Sequence, residues 1–253
     1  MTLAHEIGHY FSLEHCWGGT NNPVVACGDD GVDDTPITEG HQTCDSIPHC
    51  TKDWSNKITY SFNGLHLDPG VTDPSGSISD TATASGLFVA NGVSASPTEN
   101  NRFSYNNWGT GATNGATNYS SLTGSLDNTK YYEVTIATTP GRFMLVDSLT
   151  FNVNRSATGV RTFAVRSSAD GFASNLTGTI SPFDTTHLIM KASNTVFFYK
   201  QDTTIARSGC KIALSGLPYN LGPSSSITFR FYAWNAEDAL GTFSIDNVNF
   251  YVT

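Results

Sequence analysis

Positive charge is scarce in this sequence. Its 253 residues hold 13 Lys and Arg against 22 Asp and Glu, for a formal net charge of -9, and no basic run. That balance argues against nucleic acid as a partner, because phosphate backbones are gripped by clustered cations. Long apolar runs are missing too. No stretch approaches ~18 consecutive apolar residues, so no membrane-spanning helix is expected. The five cysteines contain no C-x-x-C pair, which weakens a cytosolic metal cluster as their explanation. Directly after Met1 there is no basic n-region, apolar h-region or cleavage site of a secretion signal.

What is present is unevenly spread. Residues 1–59 carry nine acidic and two basic side chains, whereas 60–253 carry thirteen and eleven, and five of the seven histidines precede residue 50. The length allows one or two domains and a sizeable core. Composition changes near residue 57, which divides the chain into 1–56, rich in chemistry, and 57–253, rich in Thr, Ser, Asn and Gly.

The run His5-Glu6-Ile7-Gly8-His9-Tyr10-Phe11-Ser12-Leu13-Glu14-His15 dominates the first part. With ~3.6 residues per turn, His5 and His9 share one helix face, so both imidazoles reach one Zn²⁺ with Glu6 beside it as a base. His15 lies six residues on. The helix must end and the chain double back to bring it in, which gives a His₃ site with an open fourth position, the arrangement of catalytic zinc. Within 2–15 helix is expected for about two turns, with Leu3, Ile7, Tyr10 and Phe11 as candidate buried positions. Residues 16–55 read as loop, punctuated by glycine and proline.

This run resembles the metzincin signature H-E-x-x-H-x-x-G-x-x-H. Together with Trp17-Gly18-Gly19 and Cys27-Gly28-Asp29-Asp30-Gly31-Val32-Asp33-Asp34-Thr35-Pro36, it is similar to the pappalysin (cytophagalysin-type) branch of zinc endopeptidases over about residues 2–50. Two positions depart from the family pattern. Ser12 stands where the family has a glycine with positive φ, at a cost of ~1 to 2 kcal/mol. The family's Met-turn has its nearest match in Asn56-Lys57-Ile58-Thr59-Tyr60, with Ile58 in place of methionine. The competing and preferred reading makes Lys57–Phe62 the first strand of the next domain.

The family's catalytic domains carry a β-sheet half before the zinc helix, and substrate aligns along its edge. The resemblance therefore implies an incomplete or rearranged gene product, with an intact small protein starting at Met1 as the alternative. Cys16, Cys27, Cys44 and Cys50 fall within 35 residues, a density that favours disulfides and an oxidising compartment, hence secretion or the cell surface. In the resembled family a cysteine near Cys44 or Cys50 pairs with one beyond the Met-turn; here the next is Cys210. Asp29, Asp30, Asp33 and Asp34 crowd carboxylates in a spacing unlike an EF-hand, so calcium and a solvated acidic turn both remain open. The family binds calcium near the Asp-Thr-Pro segment, which implies Asp33 and Thr35 as ligands.

From about residue 57, apolar and polar residues alternate in short runs: 87–89, 131–136, 148–153, 162–166, 195–199, 211–214, 227–232 and 243–250. Period-2 runs separated by Gly, Pro and Asn, without helices between them, predict an antiparallel β-sandwich, jelly-roll-like. Residues 104–125 around Trp108 read as a long exposed loop. Arg155-Ser156-Ala157-Thr158-Gly159, Val165–Phe172, Phe229–Tyr232 and Gly241–Val248 resemble a β-sandwich domain of secreted and cell-surface bacterial proteins, which implies an accessory module for carbohydrate or surface binding. Arg155, Arg166, Asp170 and Arg230 are expected in a buried ion-pair network. Trp108 and Trp234 are read as packing rather than sugar-stacking residues. Asn118, Asn154 and Asn175 open N-x-S/T sequons.

The expected function is therefore a secreted zinc-dependent endopeptidase, acting on protein or peptide, with a β-sandwich accessory module. His5, His9 and His15 hold zinc, Glu6 is the catalytic base, and Asp33 and Thr35 serve calcium. The alternative is an inactive protease remnant on a carbohydrate- or surface-binding sandwich.

Overall fold

The computed structural model describes residues 56–62, 76–78, 83–96, 101–182 and 186–253. The chain divides into two units, Met1–Trp54 and Ser55–Thr253, and all the described residues belong to the second.

Alternation in the sequence becomes two faces in space. In β8 (Tyr131–Thr138), Tyr132, Val134 and Ile136 are buried while Tyr131, Glu133 and Thr135 face the other way, as the period of two requires. The strands before it are β1 (Asn56–Tyr60), β2 (Gly76–Ile78), β3 (Thr83–Ser85), β4 (Val89–Asn91), β5 (Ser94–Ala95), β6 (Phe103–Asn106) and β7 (Gly109–Thr110). After it come β9 (Met144–Arg155), β10 (Val160–Ser167), β11 (Gly178–Ile180), β12 (Leu188–Lys191), β13 (Val196–Tyr199), β14 (Arg207–Ala213), β15 (Asn220–Leu221), β16 (Ser226–Ala236) and β17 (Phe243–Val252). Short 3₁₀ turns supply the only helical geometry among the described residues.

Two sheets result, one containing the order β14-β9-β17-β1 and the other β13-β10-β16-β8. Pairing is antiparallel except between β7 and β16. Successive long strands β8, β9 and β10, and again β13, β14, β16 and β17, cross between the sheets. This is the order of a jelly roll, in which two Greek keys fold over one core. That core is aromatic. Phe151 on β9 meets Phe163 on β10 and Phe231 on β16, and Phe163 stacks on Phe197 with ring centroids 4.8 Å apart. Such edge and stacked pairs add to the stabilisation from burial itself.

The two readings of residues 56–60 are separated by β1. It pairs with β17 along its length, from Asn56↔Val252 to Tyr60↔Val248. Ile58 and Tyr60 are buried, and the Tyr60 hydroxyl donates to the Gly86 carbonyl at 2.7 Å. The segment is a strand of the sandwich, as the alternation of Ile58, Tyr60 and Phe62 implied.

The expected exposed loop over 104–125 holds for 111–125, where no residue is buried, and needs correction at its start. Ser104 and Tyr105 are buried in β6, and Trp108 is 2% exposed. The Trp108 indole N–H donates to the Tyr105 carbonyl at 2.9 Å, and its ring meets Tyr132 and Phe243 edge-on. Beyond β7 the chain is stitched down: the Asn235 side-chain oxygen accepts from the Gly124 N–H at 2.8 Å, and Thr123 N–H donates to the Gly111 carbonyl at 2.9 Å. A Cβ on Gly111 would lie 2.2 Å from Gly124 N, so these glycines permit close backbone approach. A polar, glycine-rich composition hides a packed crossing. Trp108→Ala is expected to cost about 3–5 kcal/mol, read as a lowered midpoint in denaturant unfolding; a loss below ~1 kcal/mol would show that the indole is not a core member.

Candidate functional site

His5, Glu6, His9, His15, Asp33 and Thr35 all lie outside the described residues, as do Cys16, Cys27, Cys44 and Cys50. Among the described residues no group of three or more His, Cys, Asp or Glu side chains is placed to hold a metal. Cys210 is a free thiol, fully buried in the core, and burial pushes its pKa upward. A thiol kept neutral and enclosed is an inert packing group; Cys44 and Cys50, for which the resemblance implies a partner beyond the Met-turn, lie outside the described residues.

Charge within the sandwich collects where β9 turns into β10. One oxygen of Glu237 accepts from Arg155 Nη2 at 2.6 Å and from Arg161 Nη1 at 3.0 Å. Arg155 Nη1 also donates to Asp202 at 2.5 Å, and its Nη2 donates to the carbonyls of Ala157 and Gly159. Arg161 donates to the Tyr199 carbonyl through Nε and Nη2, and to the Ala116 carbonyl. Both guanidinium side chains are fully buried, and the Glu237 side chain is 2% exposed. Partial burial pushes the Asp202 carboxyl up, but hydrogen bonds from Arg155 and the Gly115 N–H, with the Arg155 and Arg161 charges, outweigh it and leave its pKa below the usual carboxylate value. The arrangement clasps four chain segments at one end of the sandwich.

The expected network thus exists, with different members. Arg155 belongs; Arg161, Asp202 and Glu237 were not anticipated, because buried charges look like surface charges in sequence. Arg166, Asp170 and Arg230 lie elsewhere. Arg166 and Arg230 are directly opposed in the β10–β16 ladder, a like-charge pairing that costs stability unless relieved. Relief comes from Glu133, which accepts from Arg230 Nε at 2.5 Å, and from aromatic faces. Arg230 sits 4.1 Å from the Tyr131 ring centroid and 3.9 Å from that of Phe172, while Arg166 lies over Tyr232. Such stacking suits the flat, weakly hydrated guanidinium. Asp170 has a local task, accepting from the N–H groups of Ala173 and Ser174.

Trp234, 7% exposed, packs with Ala164, Val196 and Tyr232 beneath Tyr119 and Leu126, and both tryptophans are therefore packing residues, as expected. Of the sequon asparagines, Asn154 is buried in β9 and Asn175 accepts from Arg166 Nε at 2.7 Å. Asn118 is exposed at a 3₁₀ N-cap.

No family model matches the sequence, and no curated protein matches it. Among solved structures, the chain is similar to the K1 cleaved adhesin domain of Lys-gingipain from Porphyromonas gingivalis W83, at 12% identity over 77% of this chain and 96% of that one, with a TM-score of 0.23. It is also similar to a β-glucosidase from Kluyveromyces marxianus in complex with glucose, at 14% identity over 74% of this chain and 18% of that one, with a TM-score of 0.20.

Proposed function

We propose that the chain is a secreted zinc-dependent endopeptidase whose β-sandwich serves as an accessory module for a glycan or cell surface. The observation that carries this reading is the spacing of His5, Glu6, His9 and His15: three imidazoles and one carboxylate match the donor set of a three-histidine zinc site with an open position. His5, His9 and His15 hold the metal, and Asp33 and Thr35 serve calcium. Zinc, when bound, supplies a Lewis acid that lowers the pKa of water toward ~7. Glu6 then takes the proton from the attacking water and hands it to the leaving amine. The test is casein cleavage by the purified full chain. Cleavage abolished by a zinc chelator and restored by added Zn²⁺ supports the proposal; no cleavage, or cleavage indifferent to chelation, contradicts it.

One observation favours a second reading, in which the first segment is an inactive remnant and the sandwich is the working part. The nearest match to a Met-turn, residues 56–60, is spent on β1 with Ile58 in the core. Under that reading the sandwich binds its glycan or surface while casein remains intact.

A further inference from the structure

An irregularity in β14 turns a cation toward the core. In a regular strand, residues three apart face opposite sides of the sheet, so Arg207 would point away from the face on which Cys210 is buried. Between them the register against β9 shifts, around Gly209 with a φ of 88°, where a Cβ would lie 2.1 Å from the Ser181 carbonyl oxygen. Bulges of this kind re-aim side chains. Cys210 now stands opposite Phe151 and Arg207 opposite Val153, and both of those β9 residues belong to the core. Arg207 therefore enters the inner face.

Donors collect there without acceptors. Arg207 Nε is enclosed and has no hydrogen-bond partner, and its side chain forms no ion pair, among the described residues. Arg155, two residues beyond Val153 on the same face of β9, is its diagonal neighbour, at a separation of about 7–8 Å that long side chains bridge. Its Nε is a second enclosed donor without a partner. The third comes from the facing sheet, where Tyr199 on β13 is wholly buried, its ring centroid 6.0 Å from Arg155 Cζ and its hydroxyl unpartnered. Burial, and after it the nearby Cys210, hold the Tyr199 pKa well above the usual phenol value, against the pull of the Arg155, Arg207 and Arg102 charges. The hydroxyl stays neutral and can donate.

The charge balance points the same way. Glu237 and Asp202 match Arg155 and Arg161, which leaves Arg207 as one uncompensated cation, and a buried charge is costly unless it is paired. Asp246 does not serve it, because Ile245 is a core residue and its neighbour projects from the outer face. Of the enclosed acceptors without a partner, Asn154 Oδ1 stands on the opposite face of β9 from Val153, and Glu237 Oε2 belongs to a carboxylate already shared by two arginines. A water molecule here would still have its own hydrogens to place. A small monovalent anion accepts from every donor around it and cancels the single excess charge, which a doubly charged oxyanion would exceed.

We propose that the sandwich binds a chloride ion between its sheets, where β9, β13 and β14 meet, with Arg207 Nε, Arg155 Nε and the Tyr199 hydroxyl as its donors. The site is independent of both the peptidase and the glycan readings. Thermal melts of the full chain in sodium gluconate, with chloride replacing gluconate at constant ionic strength, test it. A ligand held only by the folded state raises the melting midpoint with its concentration, here by at least about 3 °C from trace chloride to about 0.1 M. Chloride NMR lines should broaden in the presence of the native chain. In Arg207→Met, which removes the charge and the donor but keeps an apolar stem, the midpoint should no longer follow chloride and the broadening should fall to the buffer level. If that variant does not fold, Tyr199→Phe, which loses one hydroxyl, must need several-fold more chloride for the same rise. Equal native midpoints in gluconate and chloride overturn the proposal, since water then satisfies the donors. A chloride response as large in both variants as in the native chain overturns it as well, by placing the anion elsewhere.

Discussion

Glu6→Gln is expected to leave zinc binding intact and abolish peptide cleavage. Glutamine keeps the size and hydrogen-bonding reach of the side chain but cannot take the proton of the attacking water. Loss of a positioned general base lowers rates by about 10²–10⁴, enough to bring the casein assay to background. In the proposed site the metal should stay, because its ligands there are the three imidazoles and not Glu6. Zinc content and cleavage therefore separate in this one variant. Retained cleavage would place the base elsewhere and sink the assigned role; loss of zinc together with cleavage would turn Glu6 into a structural residue of the site.

The second large effect is expected at Glu237. It is the one ion-pair partner of Arg161 among the described residues and shares Arg155 with Asp202, and the side chains of Arg155, Arg161 and Glu237 are nearly or wholly dry. Removing one partner of a buried pair leaves an uncompensated charge, at a cost of about 3–5 kcal/mol. For Glu237→Ala this corresponds to a melting midpoint lowered by roughly 6–20 °C in a domain of this size. The cause is distinguishable from lost packing. Replacing Arg161 and Glu237 together by Met and Leu should recover much of the loss, because no lone charge then stays buried. A Glu237→Ala melt within ~1 kcal/mol of the native chain would mean that the clasp contributes little.

How far the sequence foretold this molecule differs by element. In β8, β16 and β17 the strands were legible, because Tyr132, Val134 and Ile136, or Ile227, Phe229 and Phe231, fall on alternate positions and all enter the core. The class of fold followed from such runs, and β1 was legible through Ile58 and Tyr60. The pairing order was not. Nothing local in β9 says that it lies between β14 and β17, since neighbours are chosen by the whole core. Trp108 shows a second limit: its flanks are Ser, Asn and Gly, so periodicity is silent, and only its hydrogen bond and ring contacts reveal a buried residue. The clasp shows a third. Arg155 and Arg161 are separated by the turn that joins two strands, and their shared partner Glu237 is distant in sequence. The one available signal was the placement of all three at strand ends. In β17, Asp246-Asn247 interrupts an otherwise alternating run, and that break in phase marks the register shift between Asp246 and Asn249.

The zinc residues sit differently in this account, because their spacing alone carries the claim. Elemental analysis of the purified full chain, beside a His5→Ala/His9→Ala double variant, tests it most directly. About one zinc per native chain and only trace metal in the variant is the expected result. Zinc well below one in the native chain, or equal zinc in both, would contradict it and leave the β-sandwich as the working part of the molecule.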